Sequence, residues 1–307
     1  MLSFGSVFLE IAFGHTDQLP RPGEEIYIDS FAFSCGGGAV TSAVAASRAG
    51  ASAGLATVLG DDLGSRLAER LCLAEGVDFS LSRRVEGAVA GITVVLNYDG
   101  DRAFISHMPH RSAGEGPEPK RWAEILDQVR PSWAYLHASP DVLGVLRKAR
   151  EVGTKVALDV TLEEIEAFPE AVIECARLAA LFLSNEEELR RITGSVDFDE
   201  ALGTAASWCP LVVAKRGRDG ATVAEGRAVT EVADGLLDVE VEDLTGTGDA
   251  FAGALIGSLA KGAGLFEAVT AANAAGSEAA GRLGATGPLD VPEVWSGRQK
   301  PKPPPLK

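Results

Sequence analysis

Nine consecutive residues, Asp243-Leu244-Thr245-Gly246-Thr247-Gly248-Asp249-Ala250-Phe251, place two glycines and a carboxylate where a strand is expected to run into a helix. Upstream, Val239 and Val241 alternate with Glu240 and Glu242, the pattern of a half-buried strand. Downstream, Phe251, Leu255 and Leu259 recur every fourth residue and mark a buried helical face. The glycines admit backbone angles closed to other residues and let a ligand approach the main chain. The first turn of such a helix carries unpaired N–H groups and partial positive charge, which suits a phosphate. Asp249 then stands at the mouth of an anion seat, where a carboxylate is useful if it handles a proton. The plainer reading is a tight turn with Asp249 as the N-cap. That reading accounts for Asp249 and one glycine, and leaves the pair around Thr247 unexplained. Neither Gly-x-x-x-x-Gly-Lys-Ser/Thr nor Gly-x-Gly-x-x-Gly fits the spacing.

Other residues are typed for the same chemistry. Asn185 and Glu188 lie three apart at a helix start, so both can face one cleft. An amide and a carboxylate suit a hydrated Mg²⁺, which keeps water and takes few protein ligands. The same pair reads equally as a cap with acids in the first turn. Gly36, Gly37 and Gly38 can bring backbone against a small ligand at the start of a helix from Ala39 to Ala49, although glycines also cap helices. His107 and His110 lack a third ligand nearby, and Pro109 between them opposes a helical pair, so no zinc is expected.

The elements that must position these groups alternate. Ala53–Leu59, Trp133–His137, Lys155–Val160, Leu181–Ser184 and Leu211–Ala214 read as strands, and the start of the chain through Glu10 reads as the first. Leu63, Leu67 and Leu71 mark a helix ending at Gly76; helical patterns also occupy Trp122–Val129, Val142–Val152, Glu186–Ile192 and Phe266–Leu283. This order implies an α/β fold, a mostly parallel sheet with helices on both faces and ligands at the carboxyl ends of the strands. Asn185, Lys215 and Asp243 fall at or just past such ends. Glu25–Phe33 and Ala90–Ser106 are strand-like without intervening helices, and Asp99-Gly100 signals a hairpin turn. One domain over residues 1–295 follows, with insertions at about 12–35 and 88–108. The Pro- and Lys-rich stretch from Ser296 to Lys307 reads as a disordered tail.

With 307 residues, 46% of them hydrophobic, the chain can bury a large core. Its formal net charge of −16 argues against nucleic acid or a membrane surface as partner. The four cysteines, Cys35, Cys72, Cys175 and Cys209, show no Cys-x-x-Cys spacing, which suits a reduced, cytoplasmic chain. The apolar start lacks a basic region, and no stretch approaches a membrane-spanning length.

Asp243–Phe251 resembles the C-terminal signature of the ribokinase-like (PfkB) carbohydrate kinases, usually Asp-Thr-x-Gly-Ala-Gly-Asp-x-Phe. Further resemblances follow in family order: Leu19-Pro20-Arg21-Pro22-Gly23-Glu24 before the lid, Gly36–Ala45 as the N-terminal glycine signature, and Leu59–Gly64 as the Gly-x-Asp-x-x-Gly turn. Asn185–Glu188 is similar to the family's Asn-x-x-Glu, and Lys215-Arg216-Gly217 to a strand end on the nucleotide side.

The resemblance implies a ribokinase-like fold whose extra strands form a small lid that covers the sugar and pairs with a second subunit. It implies ATP and Mg²⁺, leaves a monovalent cation open, and gives Asp249 the role of general base. The amides of Gly246, Thr247 and Gly248 would form the anion hole. Glu10, Gly36, Gly37, Gly38 and Thr41 would bind substrate; Glu10 and Thr41 stand where the family usually has Asp and Asn. Asn185, Lys215, Gly217 and Asn273 would line the nucleotide, and Glu188 with Asn185 would hold Mg²⁺, directly or through water. Asp159-Val160-Thr161 stands where relatives show Asp-x-Asn-x-x-Arg, without the arginine; Arg102 and Arg111 are the nearby cations for a carboxylated sugar.

The expected activity is therefore ATP-dependent phosphorylation of a hydroxyl on a small sugar or sugar acid. Two rivals stay open: a nucleoside kinase, for which Phe31, Phe33 and Phe104 are ambiguous stacking candidates, and a sugar- or nucleotide-binding protein without turnover.

Overall fold

The computed structural model describes residues 1–98, 101–108 and 118–287. The Asp99-Gly100 turn, Pro109, His110, Arg111 and the segment from Ser296 to Lys307 lie outside the described residues.

The chain opens with β1 (Leu2–Phe4) and continues as β2 (Phe8–Thr16) in a different sheet, so the expected single first strand is two. The switch falls at Gly5, where a Cβ would lie 2.7 Å from that of Ala39. Next come β3 (Phe31–Gly36), α1 (Gly38–Arg48), β4 (Gly54–Ala56), β5 (Val58–Leu59), α2 (Leu63–Ala74) and β6 (Arg83–Arg84). The strand expected over Ala53–Leu59 is thus split, its halves pairing in different sheets. In α2 the buried side is Gly64, Ser65, Ala68, Leu71 and Cys72, while Leu63 is 81% exposed. The buried face is centred away from Leu63, the first residue after the N-cap Asp62, which accepts from Ser65 N–H at 3.2 Å.

The hairpin β7 (Gly91–Tyr98) and β8 (Asp101–His107) precedes α3 (Pro119–Val129). The regular part of the chain then runs β9 (Trp133–His137), α4 (Leu143–Val152), β10 (Lys155–Asp159), α5 (Leu162–Ala167), α6 (Pro169–Leu178), β11 (Leu181–Asn185), α7 (Glu186–Thr193), α8 (Phe198–Ala206) and β12 (Leu211–Lys215). It closes with β13 (Ala221–Glu225), β14 (Ala228–Val232), α9 (Thr247–Ala260) and α10 (Leu265–Ala280).

Eight strands form the large sheet in the order β14-β13-β12-β11-β10-β9-β1-β4, parallel from β12 to β4 and antiparallel at β13 and β14. Alternate residues of each strand feed two cores. Ala134 and Leu136 of β9 join Trp122, Leu146 and Leu202 on one face. Trp133 and Tyr135 join Val40, Phe251 and Leu255 on the other. Helices therefore cover both faces, as parallel strands require. A second sheet of four strands, β3-β2-β7-β8, supplies the lid.

The residues before α9 depart from expectation. Val239–Glu242 is not a strand, and Val241 is 44% exposed. Its end is tied to a helix terminus instead: Glu242 and Asp243 N–H donate to the Ala280 carbonyl at 2.8 and 3.2 Å, which satisfies an otherwise orphaned carbonyl of α10.

Candidate active site

His137, Asp159, Asn185 and Lys215 are the last residues of β9, β10, β11 and β12, four adjacent parallel strands. The N-terminus of α9 stands among them. Its N-cap is Gly246, in the left-handed region at φ 73°, with no side-chain cap. Asp249 is therefore inside the first turn and is not the cap. A Cβ on Gly246 would lie 2.8 Å from that of Ala285, so both conformation and space demand glycine. Asp243 pins the turn from below, with Oδ1 accepting from Thr245 N–H at 2.8 Å and Oδ2 from Gly284 N–H at 2.9 Å. Thr247 N–H turns back to Leu244 O at 3.4 Å. The Gly246, Gly248 and Asp249 amides reach no acceptor among the described residues. An open set of donors at a helix N-terminus seats an anion.

The second glycine has its own reason. A Cβ on Gly248 would lie 3.3 Å from Lys215 Nζ, so the ammonium sits against the open amides. Lys215 donates to both oxygens of Asp159, at 3.0 and 3.2 Å. Burial works against the Lys215 charge, but Asp159, followed by Glu188 and Asp249, outweighs it and holds the ammonium above its usual range. Asp249 is raised as well, which here favours the neutral form: burial raises its carboxyl, and His137, Lys215 and the Tyr135 hydroxyl only partly offset this.

Tyr135 Oη lies 3.1 Å from Asp249 Oδ1, 3.2 Å from Asp159 Oδ2 and 3.0 Å from His137 Nε2. His137 Nδ1 is 3.2 Å from Glu164 Oε1. Burial alone would lower the His137 pKa; the hydrogen bond and charge of Glu164, then Asp159 and Asp249, lift it to about 9. These residues escaped the motif reading. A signal was present nonetheless: Tyr135 and His137 alternate on one face of a strand that should read as continuously apolar.

On the opposite wall, Gly37 has φ 100° and starts α1. A Cβ on Gly38 would meet His137 Nε2 at 2.4 Å and Asp249 Oδ1 at 2.7 Å, so the backbone of α1 lies directly over the carboxylate. Glu10 is buried, and its Oε2 accepts from Ala285 N–H at 3.1 Å and Ser34 Oγ–H at 3.3 Å. Burial raises its pKa to about 7. Gly36 leaves room for its other oxygen. Thr41 is buried with no partner for Oγ1 among the described residues, and it faces a cavity between α1, α9 and α10 lined by Ala250, Arg48 and Arg282.

Asn185 and Glu188 form a reciprocal capping box on α7: Oδ1 accepts from Glu188 N–H at 2.8 Å and Glu188 Oε2 from Asn185 N–H at 2.7 Å. Glu188 Oε1 has no hydrogen-bond partner among the described residues, and burial pushes the carboxyl to about 7 against the pull of Lys215. No group of three metal-type side chains occurs among the described residues. One buried carboxylate with an unused oxygen fits a Mg²⁺ held mainly by water and nucleotide phosphates. Gly217, at φ 56°, starts a short turn after Lys215. Asn273 spends its amide protons on the carbonyls of Val232 and Asp234, both at 2.9 Å, and fastens the segment after β14.

Comparison with known proteins gives one consistent result. The model of the pfkB family carbohydrate kinases matches residues 2–292. An ATP-dependent ribose-1-phosphate kinase of Halopiger xanaduensis is 31% identical over 297 residues, 93% of each chain. An aminoimidazole riboside kinase of Salmonella typhimurium is 29% identical over 245 residues, 71% of this chain and 73% of its own. The adenosine kinase structure from Sinorhizobium meliloti superposes with a TM-score of 0.78 at 19% identity, covering 97% of this chain and 96% of that one.

Proposed function

The chain belongs to the pfkB family of carbohydrate kinases, and from that premise we propose that it phosphorylates a hydroxyl of a ribose-type acceptor, free or substituted at C1. The family makes it a carbohydrate or nucleoside kinase. The narrower acceptor class rests on relatives named for ribose 1-phosphate, an aminoimidazole riboside and adenosine. The observation that carries the mechanism is the meeting of a desolvated carboxylate, open amides and a buried ammonium around the start of α9.

Phosphoryl transfer needs charge stabilisation at the γ-phosphate and removal of a proton from the attacking hydroxyl. Asp249 takes that proton. The acceptor O–H bond breaks, a new O–P bond forms, the bond from the γ-phosphorus to the bridging oxygen breaks, and ADP leaves. The Gly246 and Gly248 amides with Lys215 face the phosphoryl oxygens as charge moves onto them. Asp159 keeps Lys215 in place. Glu188, through water and Oε1, would hold Mg²⁺, which supplies charge neutralisation between the nucleotide phosphates. Glu10 and the glycines of 36–38 form the acceptor wall. The four free, buried cysteines suit a reducing cytoplasm. Phe104 and Ile105, 50% and 65% exposed on β8, offer an apolar lid edge for a second copy of this chain.

The test is ADP release from MgATP with D-ribose, ribose 1-phosphate, adenosine, cytidine and aminoimidazole riboside. Acceptor-dependent release that Asp249→Asn abolishes supports the reading. Release that survives the substitution sinks the assignment of the base.

A further inference from the structure

Tyr135 has one hydroxyl proton and three polar neighbours within 3.2 Å. Both oxygens of Asp159 already accept from Lys215. The imidazole of His137 sits between Glu164 on α5 and the phenol, with Asp159 on β10 and Asp249 on α9 also facing it. These anions favour the doubly protonated ring, which donates Nδ1–H to Glu164 and Nε2–H to the phenolic oxygen. The phenolic proton is then directed to Asp249 Oδ1. A single line of hydrogen bonds results, from the half-buried Glu164 through His137 and Tyr135 to the carboxylate. No donor among the described residues reaches Asp249 Oδ2. The backbone of α1 at Gly38 covers the junction closely enough that a Cβ there would collide with His137 and Asp249 and press on the Tyr135 hydroxyl.

We propose that Tyr135 and His137, braced by Glu164, are positioning residues for this reaction: they bind Oδ1 of Asp249 and so make Oδ2 the oxygen that meets the acceptor hydroxyl. The inference rests on the reading of Asp249 as the base. A carboxylate free to rotate would offer either oxygen and lose alignment with the phosphoryl group, and alignment is most of what a kinase supplies. Tyr135 touches neither reactant; it acts through Asp249.

The experiment compares Tyr135→Phe, His137→Gln, Glu164→Gln and Asp249→Asn in the ADP-release assay, using whichever acceptor named above is turned over. Tyr135→Phe keeps the ring and removes the hydroxyl, and it lowers kcat by roughly 10- to 100-fold, less than the loss of a donor that touches the reacting group. Its KM for MgATP stays within about twofold, because ground-state nucleotide binding is untouched. His137→Gln removes the fall in rate that accompanies deprotonation of the ring near pH 9 in the parent protein. A second readout needs no acceptor. Among the four histidines of the chain, the imidazole signal lost in His137→Gln is that of His137. Its NMR titration midpoint falls in Asp249→Asn and in Tyr135→Phe if the line of hydrogen bonds exists. An unmoved midpoint, or a Tyr135→Phe variant with parental kcat and pH profile, overturns the proposal. Turnover surviving in Asp249→Asn would instead remove the base reading on which it stands.

Discussion

Two helices start from the same edge of the large sheet and dispose of their first-turn amides in opposite ways. At α7, Asn185 and Glu188 close the end with side chains from the helix itself. At α9, the N-cap is a glycine, no side chain caps the end, and the Gly246, Gly248 and Asp249 amides reach no acceptor among the described residues. Both ends carry acids in the first turn. The contrast shows that a helix terminus becomes a ligand seat through what its N-cap residue withholds. Asn185 satisfies the backbone and makes α7 an anchor. Gly246 leaves the backbone unsatisfied, which under the proposed function makes α9 the receptor.

The strongest way to break the contrast is to remove the proton acceptor at the open end. Asp249→Asn lowers kcat by about 10²- to 10⁴-fold, measured as acceptor-dependent ADP release. Closing the open end comes next. Gly246→Ala strains a φ of 73° and drives a Cβ to 2.8 Å from that of Ala285, displacing the amides. Loss of such donors costs on the order of 10² to 10³ in kcat, and MgATP protection against thermal unfolding shrinks with it. Opening the closed end is milder. Asn185→Ala removes a cap worth about 1 kcal/mol, read as a lower urea midpoint, while kcat falls less than in either α9 variant.

The effect on rate is smallest for the buried acids, which act instead through a pH slope in stability. Glu188 and Glu10 are raised to about 7 from 4.5, so the native state holds protons that the unfolded chain releases. Their stabilisation is complete below pH 4.5 and is lost as pH rises through 7. Urea unfolding of the ligand-free protein should show this decline, and Glu188→Gln should flatten part of it.

The alternation of strands and helices was legible because parallel strands must be apolar on both faces, and β9, β10, β11 and β12 begin where the sequence predicts. Asp249 and its glycines were legible because an ordinary Asp N-cap accounts for one glycine and leaves the pair around Thr247 unexplained. The strand expected at Val239–Glu242 was not there: Val241 is 44% exposed and the end of the segment bonds to the last turn of α10, a pairing that alternation cannot record. Tyr135, His137 and Glu164 were missed for a related reason. Tyr135 and His137 come from β9 and meet Asp249 only across the fold, 114 residues away from Tyr135 along the chain, and Glu164 of α5 joins through His137. The capping box of α7 was read as one of two alternatives; Oε2 makes the cap, and Oε1 has no partner among the described residues.

α1 and α9 touch through main chain. A Cβ on Gly253 would lie 2.1 Å from Ser42 O, and one on Gly257 would lie 2.9 Å from the Cα of Ala46. The width of the gap between Gly38 and Asp249 is therefore gauged by the thickness of two polypeptide backbones, which no rotamer change can alter. Under the proposed function the acceptor would be measured against a rigid caliper on this side. Whatever tolerance the enzyme has for larger or smaller acceptors must come from the other jaw, the strands of the second sheet.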